Sequence, residues 1–418
     1  MSFSDAGQDR NSAVCVPEEW SRTVKNPGKK PVPGMVAGLQ KLVGDLQKVA
    51  TTEEFSLAGK VCASTSLLGF LPDGVSYCGH TVQALAHQHQ FDEVAWLLLH
   101  GQLPDDEQLS DWDALIAESA GGLQASIGEM FSLLPPGVRP VDLLPFAISL
   151  LAFFDPAPGD VCAAASVARV GRILGQLPRL LDLALNGAPS ISSAGTDDRS
   201  MLSHTGDGLL SWSGRLLQIL RGSECAVTVE EDAAMNVLMI CQCLTEMRPA
   251  CFTARATAVS TRSLFAALQS AATVYAGQTI NDPWQWAGEL LRSFLTPDQA
   301  ASWYRSRDPE GMPFGFASSV PDARVRLMQD ASGTLLGSID RIRAAAAASR
   351  LEKILATRNQ LPTIDWAAVR LMTLLEIPAD RQALTIALAR IVGWSAQALE
   401  QQKSGISLLP ALRYASES

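Results

Sequence analysis

The stretch from Thr363 to Gln401, TIDWAAVRLMTLLEIPADRQALTIALARIVGWSAQALEQ, constrains the chain more than any other. It reads as two helices joined at a break. Thr363 is placed to cap the first, and Asp365 falls in its first turn, where the positive end of the helix dipole stabilises a carboxylate. Ile377-Pro378-Ala379-Asp380 interrupts the pattern, because proline restricts the residue before it. The second helix sets Ile386, Ala389, Gly393 and Ala396 at helical spacing, with Arg390 amid apolar neighbours. An arginine so placed needs an anionic partner, since an unpaired buried charge costs several kcal/mol. These residues alone fit either a structural ion pair beside an ordinary cap or a functional site.

Composition sets the class. At 418 residues the chain has room for two or three domains and a sizeable core. Ala and Leu dominate the apolar residues, aromatics are few and long alternating β-branched runs are absent, which points to an all-α protein. A formal charge of −10 without basic clusters argues against nucleic acid as a partner, although an anionic ligand needs only local arginines. Residues 1–12 carry no secretory signal, and the longest apolar run, Leu143 to Phe154, is too short to span a bilayer. The eight cysteines are dispersed through apolar segments, as buried thiols in a reducing compartment would be, so a cytoplasmic location is expected.

Residues 1–50, with the irregular VKNPGKKPVPG and one amphipathic segment from Met35 to Val49, read as an N-terminal extension. Phe91 to Pro104 reads as a buried helix ended by Gly101 and Pro104. His87-x-His89 is no metal pair on a helix, where residues two apart face different sides. Cys241-x-Cys243 with Cys251 lacks a fourth ligand at suitable spacing and reads as buried thiols. Asn186 to Gly208, rich in Ser, Gly, Asp and Thr, reads as a long surface loop.

Several of these segments carry a resemblance. FDEVAWLLLHGQLP at 91–104 reproduces almost unchanged a run of the citrate synthase family, and Gly393-Trp394-x-Ala396-x-x-Leu399-Glu400-Gln401 matches its C-terminal segment. Arg139-Pro140-Val141-Asp142-Leu143-Leu144 is similar to the family's His-Pro-Met-Asp-Val-Leu helix entry. The resemblance covers most of residues 57–415. It implies an all-α, two-domain homodimer, with a large domain over 51–280 and 378–418 and a small domain over 281–377. It also implies that Asp365 is the base that enolises an acyl thioester, and that Arg390 and Arg324, in Asp322-Ala323-Arg324, bind a carboxylate of the oxo-acid. Arg413 echoes the family's tail arginine, which reaches into the partner subunit.

The chain departs from the family at every active-site imidazole. Aligned on Phe252-Thr253-Ala254-Arg255, Thr245 stands at the oxo-acid-binding histidine, Gln242 at the upstream histidine and Arg248 at an asparagine. The histidine that polarises the thioester carbonyl becomes Ile280, or Asn281 if a gap is allowed, and Ser318 stands at the histidine that polarises the oxo-acid carbonyl. All five histidines lie at or before position 204. Cys78 replaces an arginine assigned to coenzyme A phosphate, which weakens a role for coenzyme A. Removing one positioned general acid costs about two to four decades in rate, so losing two costs roughly 5 kcal/mol or more. Ordinary citrate synthesis is therefore not expected. Two readings follow. One is a repurposed enzyme forming carbon–carbon bonds by a Claisen, aldol or cyclisation step in specialised metabolism, with polarisation passed to Ser318, Thr245, Asn281 or backbone donors. It would have no tightly bound cofactor, and a coenzyme A thioester stands as a candidate substrate. The other is a silent paralogue that partners an active synthase.

Overall fold

The order of elements follows the helix signals. A computed structural model describes residues 61–409, except 72–73, 122–124, 136, 188–203, 206–207, 223, 280–281, 307–313 and 319–321. Strands Leu68–Leu71 (β1), Gly74–Tyr77 (β2) and His80–Thr81 (β3) form an antiparallel sheet in that order, with Leu68 opposite Tyr77 and Tyr77 opposite His80. The β2–β3 turn is Cys78-Gly79, with φ of 48° and 88°, the left-handed pair a two-residue hairpin needs. Helices Val82–Gln88 (α1), Phe91–His100 (α2), Asp106–Gly121 (α3), Ala125–Ser132 (α4), Leu143–Phe153 (α5) and Ala163–Asn186 (α6) follow. A short hairpin, His204–Thr205 (β4) with Gly208–Leu209 (β5), lies within the stretch expected to be a loop.

Next come Trp212–Arg221 (α7), Val229–Cys243 (α8), Pro249–Thr261 (α9), Leu264–Gln278 (α10), Pro283–Ser293 (α11) and Pro297–Arg305 (α12). Strand Phe316–Ala317 (β6) pairs with Leu361–Pro362 (β7) across Ala323–Gly333 (α13) and Ile339–Ala356 (α14). Ile364–Leu374 (α15) and Gln382–Ser404 (α16) close the described chain. The fold is all-α, with strands only in these three small sheets among the described residues. The extension 1–50, most of the 186–208 stretch, Asn281 and Arg413 lie outside the described residues.

Helix α16 is the central element. Every residue from Gln382 to Ala398 is buried, and it packs against α8, α9 and α10. Gly393 makes this possible: a Cβ there would come within 2.0 Å of the Cys243 carbonyl oxygen. Helix α2 is built as its sequence predicts. Gln90 and Glu93 form a capping box, and Gly101 takes φ 81° with its N–H on the Leu97 carbonyl. Asn236 of α8 ties this helix down, accepting from Phe91 N at 2.8 Å and donating to the His89 carbonyl at 3.0 Å.

The break before α16 falls where proline placed it: Glu376 adopts φ 58° and Ala379–Arg381 forms a 3-10 turn. The start of α15 differs in one respect. Thr363 occupies the N-cap position, but its hydroxyl makes no cap bond and instead donates to the Gly315 carbonyl at 2.9 Å. The Thr363 N–H bonds to the same carbonyl at 2.8 Å, so β6 and β7 fix the first turn of α15. Gly315 has φ 81°, and a Cβ there would meet the Trp366 backbone. No described helix is long and apolar enough to cross a membrane.

Candidate active site

Asp365 and Arg390 meet. Arg390 Nη2 lies 3.4 Å from Asp365 Oδ1, and Arg248 Nη1 lies 3.1 Å from Oδ2. Arg390 is nearly buried, with its side chain 5% exposed, whereas Arg248 is 40% exposed. Gln242 joins the two ends of the pair: its Oε1 accepts from Arg390 Nη2 at 3.3 Å, and its Nε2 donates to the Ile364 carbonyl at 2.9 Å. Gln242 thus holds both the arginine and the helix entry that carries Asp365.

These groups face a cavity of about 270 Å³, which lies wholly within one compact unit, residues 61–304 with 312–418. Thr245 and Arg248 enter from the α8–α9 link, Tyr275 and Gln278 from α10, and Trp284 from α11. Asp365 comes from the first turn of α15, and Arg390 and Trp394 sit one turn apart on α16. Phe314 completes an aromatic wall, edge-on to Trp284 with ring centroids 5.1 Å apart. The Arg390 guanidinium stands 5.3 Å from the Tyr275 ring centroid, and the Tyr275 and Trp394 rings are 5.9 Å apart.

Three buried polar atoms of residues that line it have no hydrogen-bond partner among the described residues: Tyr275 Oη, Trp394 Nε1 and Arg390 Nε. Buried polar atoms are paired in nine cases of ten or more, so three in residues that line one cavity are unusual. Burial pushes the Tyr275 phenol well above its ordinary value, against the pull of Arg390, which keeps it a proton donor. Asp282, the cap of α11 through Gln285 N, is pushed up to about 6 by burial.

The other expected site residues are placed elsewhere. Arg324 does not line the cavity; its donors go to Asp322 Oδ2 at 2.6 Å, the Leu244 carbonyl at 2.9 Å and Tyr77 Oη at 3.5 Å. It braces the residue before Thr245 from behind. Thr245 is buried on the cavity wall with its hydroxyl 3.6 Å from Cys251 Sγ, while its carbonyl accepts from Gln397 at 3.1 Å. Ser318 is exposed just after β6 and does not line the cavity. No three His, Cys, Asp or Glu side chains among the described residues are grouped to hold a metal. Burial pushes the Cys241 thiol up to about 12 and Cys78 to about 11, so neither is a thiolate at neutral pH.

Sequence reasoning missed Arg248 and Tyr275. Arg248 had one signal, a cation where the related motif has a neutral asparagine. Tyr275 had none, because it lies where the glycine-rich motif is not preserved.

The family model for the citrate synthase C-terminal domain matches residues 57–410. This chain belongs to the citrate synthase family. It is 23% identical over 379 residues to 2-methylcitrate synthase 2 of Corynebacterium glutamicum, covering 88% of this chain and 96% of that one. It is likewise 23% identical over 348 residues to the citrate synthase of Deinococcus radiodurans, covering 81% and 89%. Among solved structures it is similar to the Thermoplasma acidophilum citrate synthase in ternary complex with carboxymethyl coenzyme A and oxaloacetate. The TM-score there is 0.72 at 16% identity, over 86% of this chain and 95% of that one. The Thermotoga maritima enzyme gives 0.70 at 17% identity, over 87% and 96%. The fold is that of citrate synthases.

Proposed function

We propose that this protein joins carbon to carbon by enolising a donor with Asp365 and adding it to a carboxylate-bearing oxo-acid anchored by Arg390. The observation that carries this reading is the convergence of Asp365, Arg390 and Thr245 on one cavity, in a chain that has lost the family's imidazoles. The relatives' names supply the reaction class, and the absent histidines argue that ordinary citrate synthesis is not the reaction. Arg248 is the partner that must release Asp365 when substrate enters: it is the more exposed, and a substrate carboxylate offers it a replacement anion. The division into a large domain, 51–280 with 378–418, and a small one, 281–377, belongs to the same proposal, as does a homodimer.

One feature favours the second reading. Both oxygens of Asp365 are held by guanidinium groups, as a purely structural pair would be. A silent paralogue that partners an active synthase would keep such a pair. Isotope exchange separates the two. In deuterium oxide, the protein should exchange the α-hydrogens of acetyl-CoA, propionyl-CoA or pyruvate, and Asp365→Asn should reduce that exchange to background while remaining folded. Exchange that survives in Asp365→Asn would remove the base assignment, and none in the wild type with any donor would establish the silent reading. With oxaloacetate and acetyl-CoA, release of free thiol should stay at background.

A further inference from the structure

We infer that the Tyr275 hydroxyl takes over the lost imidazoles' work, donating to the acceptor carbonyl as the new bond forms. The inference rests on the functional reading above and adds the group which that reading lacks.

The geometry supplies four supports. Tyr275 lines the same cavity as Asp365 and Arg390. Its side chain is buried, at 4% relative exposure, and its hydroxyl has no partner among the described residues. Leaving a buried hydroxyl unbonded destabilises a protein, so its retention needs a use that substrate would provide. Burial dominates its environment, and Arg390 and Asp365 are the charged groups that act on it most, ahead of Asp282 and Arg248. The Arg390 guanidinium lies against its ring, where it would stabilise charge that develops on the phenol. Neither other neutral position offered by the alignment competes among the described residues. Ser318 is off the cavity, and the Thr245 hydroxyl is engaged with Cys251.

The step balances without any added reagent. Asp365 removes a proton from the donor carbon, and the electron pair left behind forms the bond to the acceptor carbonyl carbon. The carbonyl π pair moves to oxygen, which takes the Tyr275 proton. The phenolate, beside Arg390, then recovers the proton that Asp365 removed. Donor C–H and acceptor C=O become C–C and O–H, and the enzyme is unchanged.

The test uses pyruvate, oxaloacetate and 2-oxoglutarate labelled with carbon-13 at the keto carbon, bound to the intact protein. In the wild type the bound keto resonance of at least one should move downfield, as a polarised carbonyl does. In Tyr275→Phe that shift should vanish while the dissociation constant rises by about two- to tenfold, the worth of one hydrogen bond, because the carboxylate anchor is intact. The melting temperature should equal or exceed that of the wild type, since the hydroxyl bonds to none of the described residues. Arg390→Gln should instead weaken binding tenfold or more. An unchanged shift in Tyr275→Phe would overturn the tyrosine's role and leave the wider reading standing. Failure of the wild type to bind any of the three would overturn both.

Discussion

Asp365 has a guanidinium on each oxygen, and the two are unlike. Arg390 is buried, shared with Gln242 and stacked on Tyr275, whereas Arg248 reaches in from an exposed helix start. Exposed ion pairs contribute little, about 0–1 kcal/mol. Arg248→Ala should therefore leave thermal stability within about 1 kcal/mol of the wild type, and a loss several times larger would show the pair to be structural. A different carboxyl has a real cost in the folded state. Asp92, beside Asp113, is pushed up to about 6 by burial first and by Asp113 next. Folding thus favours its protonated form, and its contribution to stability falls as pH rises from about 4 to about 6. Asp92→Asn should match the wild type near pH 4 and exceed it at pH 8 by about 1–3 kcal/mol in urea titrations. Asp365 and Arg390 were picked out in the sequence by the resemblance of their segment to the citrate synthase family, since a helix-opening aspartate and a charge in an apolar stripe fit a structural pair as well. Arg248 and Tyr275 were not, because what marks them is a partner, or the lack of one, more than 100 residues away.

At the scale of elements, the contact between α8 and α16 decides whether the cavity exists at all. These helices carry Gln242 and Arg390, and Gly393 lets their backbones approach. In Gly393→Ala the new methyl would meet backbone, which cannot rotate away, so the helices must separate. Overpacking of this kind costs about 1–3 kcal/mol or more. Gly277 of α10 is the control, since a Cβ there meets nothing within 4 Å. Gly277→Ala should be neutral or stabilising by up to about 1 kcal/mol. Equal melting temperatures for the two variants would refute the close-approach argument. The helix at Phe91 and the break at Pro378 were readable because caps and prolines act locally. Thr363 misled because its hydroxyl serves the Gly315 carbonyl just before β6, 48 residues away in sequence, and Arg324 because its position in a motif says nothing about which way it turns.

At the scale of the whole molecule, buried carboxyls of two kinds set opposite limbs of the stability curve. Glu231 accepts from the Thr228 N–H, Arg221 and Arg341, at 3.0, 2.8 and 2.5 Å. Burial raises its pKa, but these donors prevail and it lies below its ordinary value. Its stabilisation is therefore present above about pH 4.5 and is lost as pH falls through the lowered value. Asp92 and Asp282, both pushed up to about 6 by burial, act in the reverse sense. What they contribute is complete below about pH 4 and is lost as pH rises through 6. The formal charge of −10 at pH 7 adds self-repulsion on the same side. Stability should then peak near about pH 5 and decline by about 2–4 kcal/mol by pH 8, where an ordinary globular protein is roughly level. Urea midpoints at half-unit pH steps, with a constant m-value, would trace this curve. The Asp92→Asn, Asp282→Asn double variant should flatten the alkaline limb, because asparagine still caps α11 but no longer titrates. Glu231→Gln should lower the plateau near neutrality and leave the alkaline slope intact. A wild-type midpoint that holds or rises from pH 5 to pH 8 would mean that these two aspartates are solvated in the folded protein, and the burial argument for both would fail.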